Sequence, residues 1–499
     1  MKNTNMLRKR LLTVLLLVSV LGGTFAGCSD VQEETEPAVE TAAPAAAETV
    51  AEEETEEQDS RASLSDNLPE DLDFEGYEFR ILTYSPTAYE VEELTGDVVE
   101  DSKYNRNLDI QGRFNATVKA ASVPGIAELD SALKASVMSG DNAYDIAIPH
   151  QIQSGPGFIT GDYIRPWNDV PYIDAAQPWW NQSINETIRI LDQQYYIAGY
   201  ITMPTPFCMY ANKGLLADYG YDDIYGLVRE GTWTLDKLAE IASTAYVDLD
   251  GNGVVDTTDQ FGVTFNNDNT TLNFMYSSGM YSVVMDENGV PVPNVYNDKM
   301  ISLVDKMYNL IYTGNQTLLT DYNTQAEQGV GGFTAGRILF LCSGVSSLSG
   351  LRDADIELGV IPYPKWDEAQ EAYNTHVDAW NGMLCIPRTA ADADLERTGV
   401  IVEAMAAYTY KFVIPDYYDV ALGTKYVRDE DSREMLDIIF DGVVYDFGYI
   451  FDSWNGCTWT LPNLMTQKKT DLASYWKALE KRVNKHYQKL YEAVEKNNG

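Results

Sequence analysis

The sequence has few histidines, few cysteines and little positive charge. Its 499 residues include 3 His and 5 Cys, and 35 Lys and Arg stand against 76 Asp and Glu. The resulting formal net charge of −41 repels phosphate backbones and anionic headgroups, which argues against binding to nucleic acid or to a membrane surface through charge. Three histidines that are far apart in sequence leave little for a histidine-rich metal site.

The sequence also lacks the motifs of common enzyme classes. It contains no His-Glu-x-x-His, no Gly-x-Ser-x-Gly and no Cys-x-x-Cys. Residues 331–338 copy the glycine spacing of a phosphate-binding loop, but Arg337 and Ile338 replace the Lys and Ser/Thr that contact phosphate and magnesium. This segment is therefore predicted to be a helix-to-strand turn. No enzymatic activity is expected. A carboxylate pair that catalyses glycoside hydrolysis stays an alternative, because the sequence has 76 acidic residues.

Only one apolar run stands out, and it is short. Residues 11–21 are apolar except for Thr13 and Ser19, and four basic residues precede them. A basic segment followed by an apolar run too short to span a bilayer is typical of an export signal. Residues 1–27 are therefore predicted to be a signal peptide.

Small residues directly before Cys28 resemble the lipobox of bacterial lipoproteins, in which the cysteine receives a diacylglycerol. The alternative is a conventional signal peptide with an incidental cysteine. Residues 29–60 carry twelve acidic residues and no basic one, a composition that keeps a chain disordered and extended. Residues 28–70 are thus predicted to be a lipidated cysteine and an acidic linker, so that the protein is anchored on the extracytoplasmic face of the cell membrane by lipid only.

The other four cysteines are widely spaced and lie in apolar or aromatic surroundings. Four thiols could form two disulfides in an oxidising compartment. Their spacing shows no disulfide framework, so buried free thiols are the preferred interpretation. They are Cys208, Cys342, Cys385 and Cys457.

The body of the chain begins with alternating strands and helices, the pattern of an α/β sheet. Hydrophobic periodicity predicts strands at 74–82, 116–123 and 144–149, helices at about 100–114 and 126–139, and an amphipathic C-terminal helix spanning residues 472–494. Asn212 and Thr234 are predicted to cap helices that follow them. The indoles of Trp179, Trp180 and Trp233 are expected in the core.

From about residue 72 onward, ordered motifs resemble the type 1 lipid-anchored extracellular solute-binding proteins of ABC importers, in their sugar-binding branch. The motifs are residues 74–79 (Phe-x-Gly-x-x-Phe), 144–146 (Tyr-Asp-Ile), 165–171 (Arg-Pro-Trp-Asn-Asp-Val-Pro), 178–181 (Pro-Trp-Trp-Asn), 210–213 (Tyr-Ala-Asn-Lys), 231–236 (Gly-Thr-Trp-Thr-Leu-Asp), 333–337 (Phe-Thr-Ala-Gly-Arg) and 359–365 (Gly-Val-Ile-Pro-Tyr-Pro-Lys).

The resemblance implies a type II periplasmic-binding-protein-like fold, α/β, with two discontinuous lobes joined by a hinge. An N-terminal lobe is expected at 71–201 plus 378–414, and a C-terminal lobe at 202–377 plus 415–499. The chain would cross between the lobes near 200–206, 376–383 and 413–417.

The sharpest local motif is a twelve-residue loop with the ligand spacing of a calcium site. Oxygen ligands at positions 1, 3, 5, 9 and 12, a glycine at position 6 and a backbone carbonyl at position 7 match an EF-hand-type loop. An acidic turn without metal is the alternative. A structural rather than a sensing role is expected for this calcium, because no second loop pairs with it. The predicted ligands are Asp248, Asp250, Asn252, Val254, Asp256 and Asp259.

The resemblance also places a ligand in a cleft where loops converge at the carboxyl ends of strands. Sugars present flat C–H faces and a rim of hydroxyls, which aromatic rings and polar side chains match. The predicted contact residues, for each of which a structural role is the alternative, are Tyr84, His150, Gln151, Ser343, Trp380, Asn381, Asp452 and Trp454.

The leading hypothesis is a monomeric lipoprotein that captures an oligosaccharide between its lobes and delivers it to the permease of an ABC importer. A secreted polysaccharide-acting hydrolase and a calcium-stabilised surface scaffold are the alternatives. The sequence does not identify the sugar, and a non-sugar solute is a further alternative.

Overall fold

The computed structural model describes residues 61–201, 203–351, 354–417, 430–452 and 456–498. The predicted signal peptide, Cys28, most of the acidic linker and Trp454 lie outside the described residues, and their predictions are not tested by the fold.

The first sheet is parallel, with β1 (Tyr77–Thr83) between β2 (Ala116–Ser122) and β3 (Ile146–Ala147). Helices α1 (Val98–Phe114) and α2 (Ile126–Ser139) connect the strands, which confirms the predicted alternation.

Two predicted strands are shorter than expected. β1 starts at residue 77 because Glu75 and Gly76 have positive φ angles of 56° and 78° and form a turn before it. β3 spans two residues, and Pro149, which follows it closely, has no N–H to extend the ladder.

The second sheet is mixed, with strand order β11-β5-β10-β6-β9. Strand β6 pairs in parallel with both β9 and β10, whereas β5 pairs antiparallel with both β10 and β11. Two small sheets, β12-β4 and β7-β8, complete the described strands. The bounds are β4 (Ile164–Arg165), β5 (Phe207–Asn212), β6 (Phe261–Asn266), β7 (Val283–Met285), β8 (Pro291–Pro293), β9 (Thr317–Thr320), β10 (Ile338–Gly344), β11 (Leu358–Ile361) and β12 (Ile386–Pro387).

Helices cover both sheets, and their first turns use the capping residues that the sequence predicts. Asn212 Oδ1 accepts the N–H of Leu215 (3.1 Å) and Thr234 Oγ1 accepts that of Lys237 (3.2 Å). The remaining helices include α3 (Gln151–Thr160), α4 (Gln182–Thr187), α5 (Lys213–Asp218), α6 (Ile224–Arg229), α7 (Leu235–Ser243), α8 (Asn269–Ser277), α9 (Asp298–Tyr312), α10 (Gly331–Thr334), α11 (Leu348–Leu351), α12 (Asp392–Tyr408), α13 (Glu430–Asp441), α14 (Phe447–Phe451), α15 (Thr460–Thr466) and α16 (Leu472–Asn498).

The C-terminal helix α16 has the amphipathic face expected from the sequence, and that face serves two hydrophobic clusters. Leu472 packs with the core around the second sheet. Tyr487 and Leu490 instead pack with Leu82 and Phe158 from the first sheet and α3. The lobe boundaries given above stay predictions. The packing of Tyr487 and Leu490 against Leu82 and Phe158 joins residues expected in the C-terminal lobe to residues expected in the N-terminal lobe.

Two chain segments run antiparallel where the sequence predicts a hinge. Ile197 bridges to Leu384, and Pro206 bridges to Val377. Their backbone bonds include Leu384 N–H to Ile197 O at 2.9 Å. The segments that contain Ile197 and Pro206 therefore pair with residues 377–384 and connect the parts of the chain that carry the two large sheets.

The four cysteines beyond residue 60 are free and buried, which confirms the preferred interpretation. Trp179 and Trp233 are fully buried and Trp180 is 4% exposed, as expected for core residues. Within the described ranges, no helix combines the length and apolar character that crossing a membrane requires.

A buried carboxylate joins α12 to the loop before α4. Glu403 is fully buried; its Oε1 accepts the indole N–H of Trp179 (2.7 Å) and its Oε2 that of Trp180 (2.8 Å). Burial raises the pKa of Glu403 from its ordinary 4.5 to about 7, against the lowering effect of these bonds.

The raised pKa predicts a pH-dependent contribution to stability. Between about pH 4.5 and 7 the folded protein holds a proton on Glu403 that the unfolded chain releases, so the free energy of unfolding falls as pH rises. The total loss from this group is about 3 kcal/mol. Urea unfolding from pH 4.5 to 8 should show this decline in the wild type and a shallower one in Glu403→Gln. Parallel pH profiles would contradict it.

Candidate functional site

Three predicted residues follow strands of the first sheet at one edge. β1 and β3 are parallel, so their carboxyl ends lie together. Tyr84 follows β1, and His150 and Gln151 follow β3 at the start of α3. The strand order thus brings side chains from distant parts of the sequence to one place.

An aromatic group forms at this edge, consisting of Tyr84, His150 and Trp380. The Trp380 ring lies 5.4 Å from that of Tyr84 and 5.5 Å from that of His150, and both pairs are edge-to-face with interplanar angles of 88°. Trp380 nevertheless remains 55% exposed. A large indole that makes two edge-to-face contacts and stays more than half exposed offers an aromatic surface to a ligand.

The loop that carries Trp380 is held from several sides. Asp378 Oδ1 accepts the N–H of Trp380 (2.9 Å). Gln151 donates its backbone N–H to Ala379 O (3.2 Å) and its side-chain Nε2–H to Asn381 O. Thr205 Oγ1 donates to Asn381 Oδ1 (3.2 Å). These bonds fix the loop between α3 and the segment 197–206.

Close packing beneath this loop requires a glycine. A Cβ on Gly382 would lie 2.2 Å from Ile148 Cγ2 and 3.2 Å from the carbonyl oxygen of Pro149. Any larger residue would push the loop away from the first sheet and displace Trp380 from the aromatic group.

The second sheet contributes acidic and aromatic side chains that the sequence analysis did not single out. β6 and β9 are parallel, and Asp268 and Tyr322 follow their carboxyl ends. The charges of Asp268 and Asp378 raise the pKa of Tyr322, after burial as the main cause, which places the phenol near both carboxylates. Tyr449 OH donates to Asn269 Oδ1 (3.0 Å) beside Asp268. The sequence feature that could have identified Asp268 and Tyr322 is their position directly after strands.

Burial shifts the titration of groups in this region. It lowers the pKa of His150 to about 4, so the imidazole is neutral at physiological pH. It raises the pKa of Tyr84, with a smaller contribution from the charge of Asp378. Burial and then the charge of Asp378 raise the pKa of Asp268 to about 6.

The structure does not bring every predicted contact residue to the aromatic group. Ser343 lies near the carboxyl end of β10, which is parallel to β6, so it stands at the sheet edge that Asp268 follows. Its hydroxyl is 2.7 Å from that of Ser347, and its role as a ligand contact stays a prediction. Asp452 is 5% exposed, and its Oδ2 accepts the N–H of Thr458 (2.8 Å), which gives it a structural contact near α16. Trp454 lies outside the described residues. Tyr84, His150, Gln151, Trp380 and Asn381 are brought together.

The predicted calcium loop is closed at its base by paired backbone bonds between Val247 and Gln260, at 3.0 and 3.2 Å. Gly251 and Gly253 have φ angles of 69° and 73°, so the turn uses a left-handed conformation that glycine adopts without strain. Asp248 Oδ1 and Oδ2 accept the N–H groups of these two glycines, both at 2.8 Å.

Three of the predicted ligands converge. Carboxylate oxygens of Asp248, Asp250 and Asp259 lie within 4.8 Å of one another. Asp256 is not among these three, and its Oδ1 accepts from the N–H (2.8 Å) and hydroxyl (2.7 Å) of Thr258. Several carboxylates, a nearby amide oxygen and a glycine turn are a donor set that suits a hard cation such as Ca²⁺.

Two α/β sheets, paired connecting segments and an exposed aromatic group at one sheet edge are the arrangement of a two-lobed binding protein. A sequence profile of bacterial extracellular solute-binding proteins matches residues 109–408. The chain therefore belongs to this family, as the ordered motifs indicated. No curated protein sequence matches it.

Solved structures share the fold at low identity. The GacH receptor of Streptomyces glaucescens is 14% identical with a TM-score of 0.52, over 81% of this chain and 99% of that chain. UspC of Mycobacterium tuberculosis is 14% identical with a TM-score of 0.54, over 83% and 100%. UgpB of the same organism, solved with glycerophosphocholine, is 14% identical with a TM-score of 0.52, over 82% and 98%. The predicted two-lobed α/β fold is confirmed.

The lowered pKa of His150 can be tested directly, because the chain has only three histidines. We expect its imidazole C–H NMR signal to stay constant from pH 8 to 5.5 and to shift only near pH 4. The signal is assigned by its loss in His150→Gln. Since the unfolded chain protonates near pH 6.5, this group makes the fold less stable as pH falls from 6.5 to 4. A midpoint near 6.5 in the native protein would contradict the burial of this ring.

Proposed function

We propose that this chain captures a carbohydrate in the cleft beside Trp380 and delivers it to the permease of an ABC importer. The observation that carries the proposal is the exposed indole of Trp380, in edge-to-face contact with Tyr84 and His150. Sugar C–H faces pack on such a ring, while the hydroxyl rim hydrogen-bonds to polar groups beside it.

Polar groups for the hydroxyl rim surround the indole. Gln151 is 1% exposed, and its buried Oε1 has no hydrogen-bond partner. The buried hydroxyl of Tyr84 also has none. Buried polar atoms without partners are costly, so a ligand hydroxyl that reaches them gains binding free energy.

The solved structures support a carbohydrate only by analogy. GacH was solved with acarbose and an acarbose homologue, whereas UgpB was solved with glycerophosphocholine. At 14% identity these likenesses concern the fold, so the class of ligand rests on the chemistry of the cleft.

Capture without covalent chemistry follows from the two-lobed arrangement. A ligand that contacts both lobes stabilises a closed state in proportion to its affinity difference between the states. The closed protein then docks on the permease. Membership in a solute-binding family does not favour the alternatives of a secreted hydrolase or a surface scaffold.

Replacing the exposed indole tests the proposal. Trp380→Ala removes the stacking surface and should weaken binding of the best sugar in an oligosaccharide panel at least about tenfold, or about 1.4 kcal/mol, by calorimetry. Trp366→Ala is the matched control, because Trp366 contacts Lys299 and Lys306 rather than the cleft. Equal losses of sugar affinity in both variants would show that Trp380 is not part of the binding surface. Release of reducing ends from the sugar would favour a hydrolase.

We also propose that the loop 248–259 binds a structural Ca²⁺ through Asp248, Asp250, Asn252, the Val254 carbonyl, Asp256 and Asp259. The convergence of three carboxylates supports it. The ion would neutralise their mutual repulsion and hold the loop against β6. Asp256 would have to rotate from Thr258 to join the other ligands.

Chelation tests this site. Ligation at 100 times the Kd stabilises a fold by about 2.7 kcal/mol, so excess chelator should lower the melting temperature by a few degrees. Asp250→Asn should abolish that response, because it removes one of the three converging carboxylates. Asp250 is exposed, so its replacement spares the core. Asp298→Asn, outside the loop, should retain it. A melting temperature that ignores chelator in the wild type would sink the calcium proposal.

We further propose that the protein acts as a monomer attached to the extracytoplasmic face of the cell membrane by lipid on Cys28. The support is the small-residue motif before Cys28 and the acidic linker after it. Labelled palmitate should enter the wild-type protein in cells and not Cys28→Ser, which should appear in the medium or periplasm. Labelling of both would place the lipid elsewhere.

A further inference from the structure

The carboxylate of Asp268 is left without the role that its position normally gives it. Asp268 occupies the N-cap position of α8, yet its side chain makes no capping hydrogen bond. Asn266 takes over that role, since its Oδ1 accepts the backbone N–H of Thr270 in the first turn (3.4 Å) as well as the hydroxyl of Thr270 (2.9 Å). Asp268 Oδ1 is buried and has no hydrogen-bond partner.

A second carboxylate lies close to this one. The negative charge of Asp378 contributes to the raised pKa of Asp268. Tyr449 links the two chain segments, because its hydroxyl donates to Asn269 Oδ1 (3.0 Å) and also interacts with the backbone of Ala379. The segments that carry Asp268 and Asp378 are therefore neighbours. Trp380 follows Asp378 closely in the same loop, and both Trp380 and Tyr322 are 55% exposed.

In the part of the chain that the structure describes, no lysine or arginine pairs with either carboxylate. Lys103 and Arg106 line a cavity of about 180 Å³ that Trp380 also borders, but both are engaged. Lys103 pairs with Glu100 (2.7 Å), and Arg106 donates to the carbonyl of Tyr89 (2.8 Å). The charge of the two acids is not balanced within these ranges.

The other unpartnered atoms of the cleft are also hydrogen-bond acceptors or hydroxyls. Gln151 is 1% exposed, its Nε2 is used by Asn381 O, and its unpartnered Oε1 can only accept. Asp268 Oδ1 has the same need while its carboxylate is ionised. A ligand that completes this set must donate hydrogen bonds, and a positive charge would offset the two carboxylates.

We propose that the cleft is selective by charge, and that its preferred carbohydrate carries a protonated amine held between Asp268 and Asp378, with Trp380 and Tyr322 as aromatic walls. This inference rests on the proposed function and narrows its ligand to amino sugars. Sugars with carboxylate or phosphate groups are excluded, because they would add a third negative charge and no donor. The cationic amine also gains from the nearby aromatic faces.

The test compares sugars that share a backbone and differ in charge. Calorimetry with the full chain uses glucosamine oligosaccharides, the same oligosaccharides N-acetylated, and uronate oligosaccharides of equal length. We expect the amine form to bind roughly tenfold or more tightly than the N-acetylated form, and the uronate not to bind. Asp268→Asn and Asp378→Asn should each reduce the preference for the amine and leave the N-acetylated sugar bound.

Asp298→Asn, an exposed change on α9, controls for the loss of one negative charge and should keep the preference. Circular dichroism melting of each variant checks that it is folded. Equal affinity for amine and N-acetylated sugars, a preference unchanged in both cleft variants, or binding of the uronate overturns the charge selectivity while the carbohydrate function stands. Binding of spermidine alone leaves the amine site standing and overturns the carbohydrate function. Failure of every sugar and of spermidine overturns both.

Discussion

The antiparallel pairing of residues 197–206 with residues 377–384 is the constraint on which the cleft depends. The bridges at Ile197–Leu384 and Pro206–Val377 fix both ends of the loop that carries Trp380. Between these ends the loop has no sheet partner, so it can project its indole toward Tyr84 and His150. The backbone bonds thus place an exposed ring beside a connection between the parts of the chain that carry the two large sheets.

Burial then determines the chemistry of the groups around that ring. Removing water lowers the pKa of His150 and raises those of Asp268 and Tyr84, because burial penalises the charged form of each group. With a pKa of about 6, Asp268 is still ionised near neutral pH. The same burial leaves the Oε1 of Gln151 without a partner. A cleft built from unsatisfied acceptors favours ligands that donate hydrogen bonds. The overall charge of −41 says much less about the ligand than these few atoms do.

Local patterns predicted local structure well. The helix bounds at 126–139 followed from hydrophobic spacing, and the caps Asn212 and Thr234 followed from the side-chain oxygens that helix N-termini require. The loop 248–259 was recognisable because its predicted ligands are close in sequence. Strand ends were less predictable, since the turn at residues 75–76 depends on two left-handed backbone angles.

The sequence by itself determined the α/β alternation, the free buried cysteines and the presence of aromatic and polar residues after strands. Only the tertiary structure decided which of them meet. Asp268 and Asp378 are separated by more than one hundred residues in the printed sequence, and Tyr449 joins their segments through one hydroxyl. Asp452 resembled them in sequence but is buried against Thr458. Sequence spacing carries information about neighbours within one helix or loop, whereas a cleft is formed by contacts between distant segments.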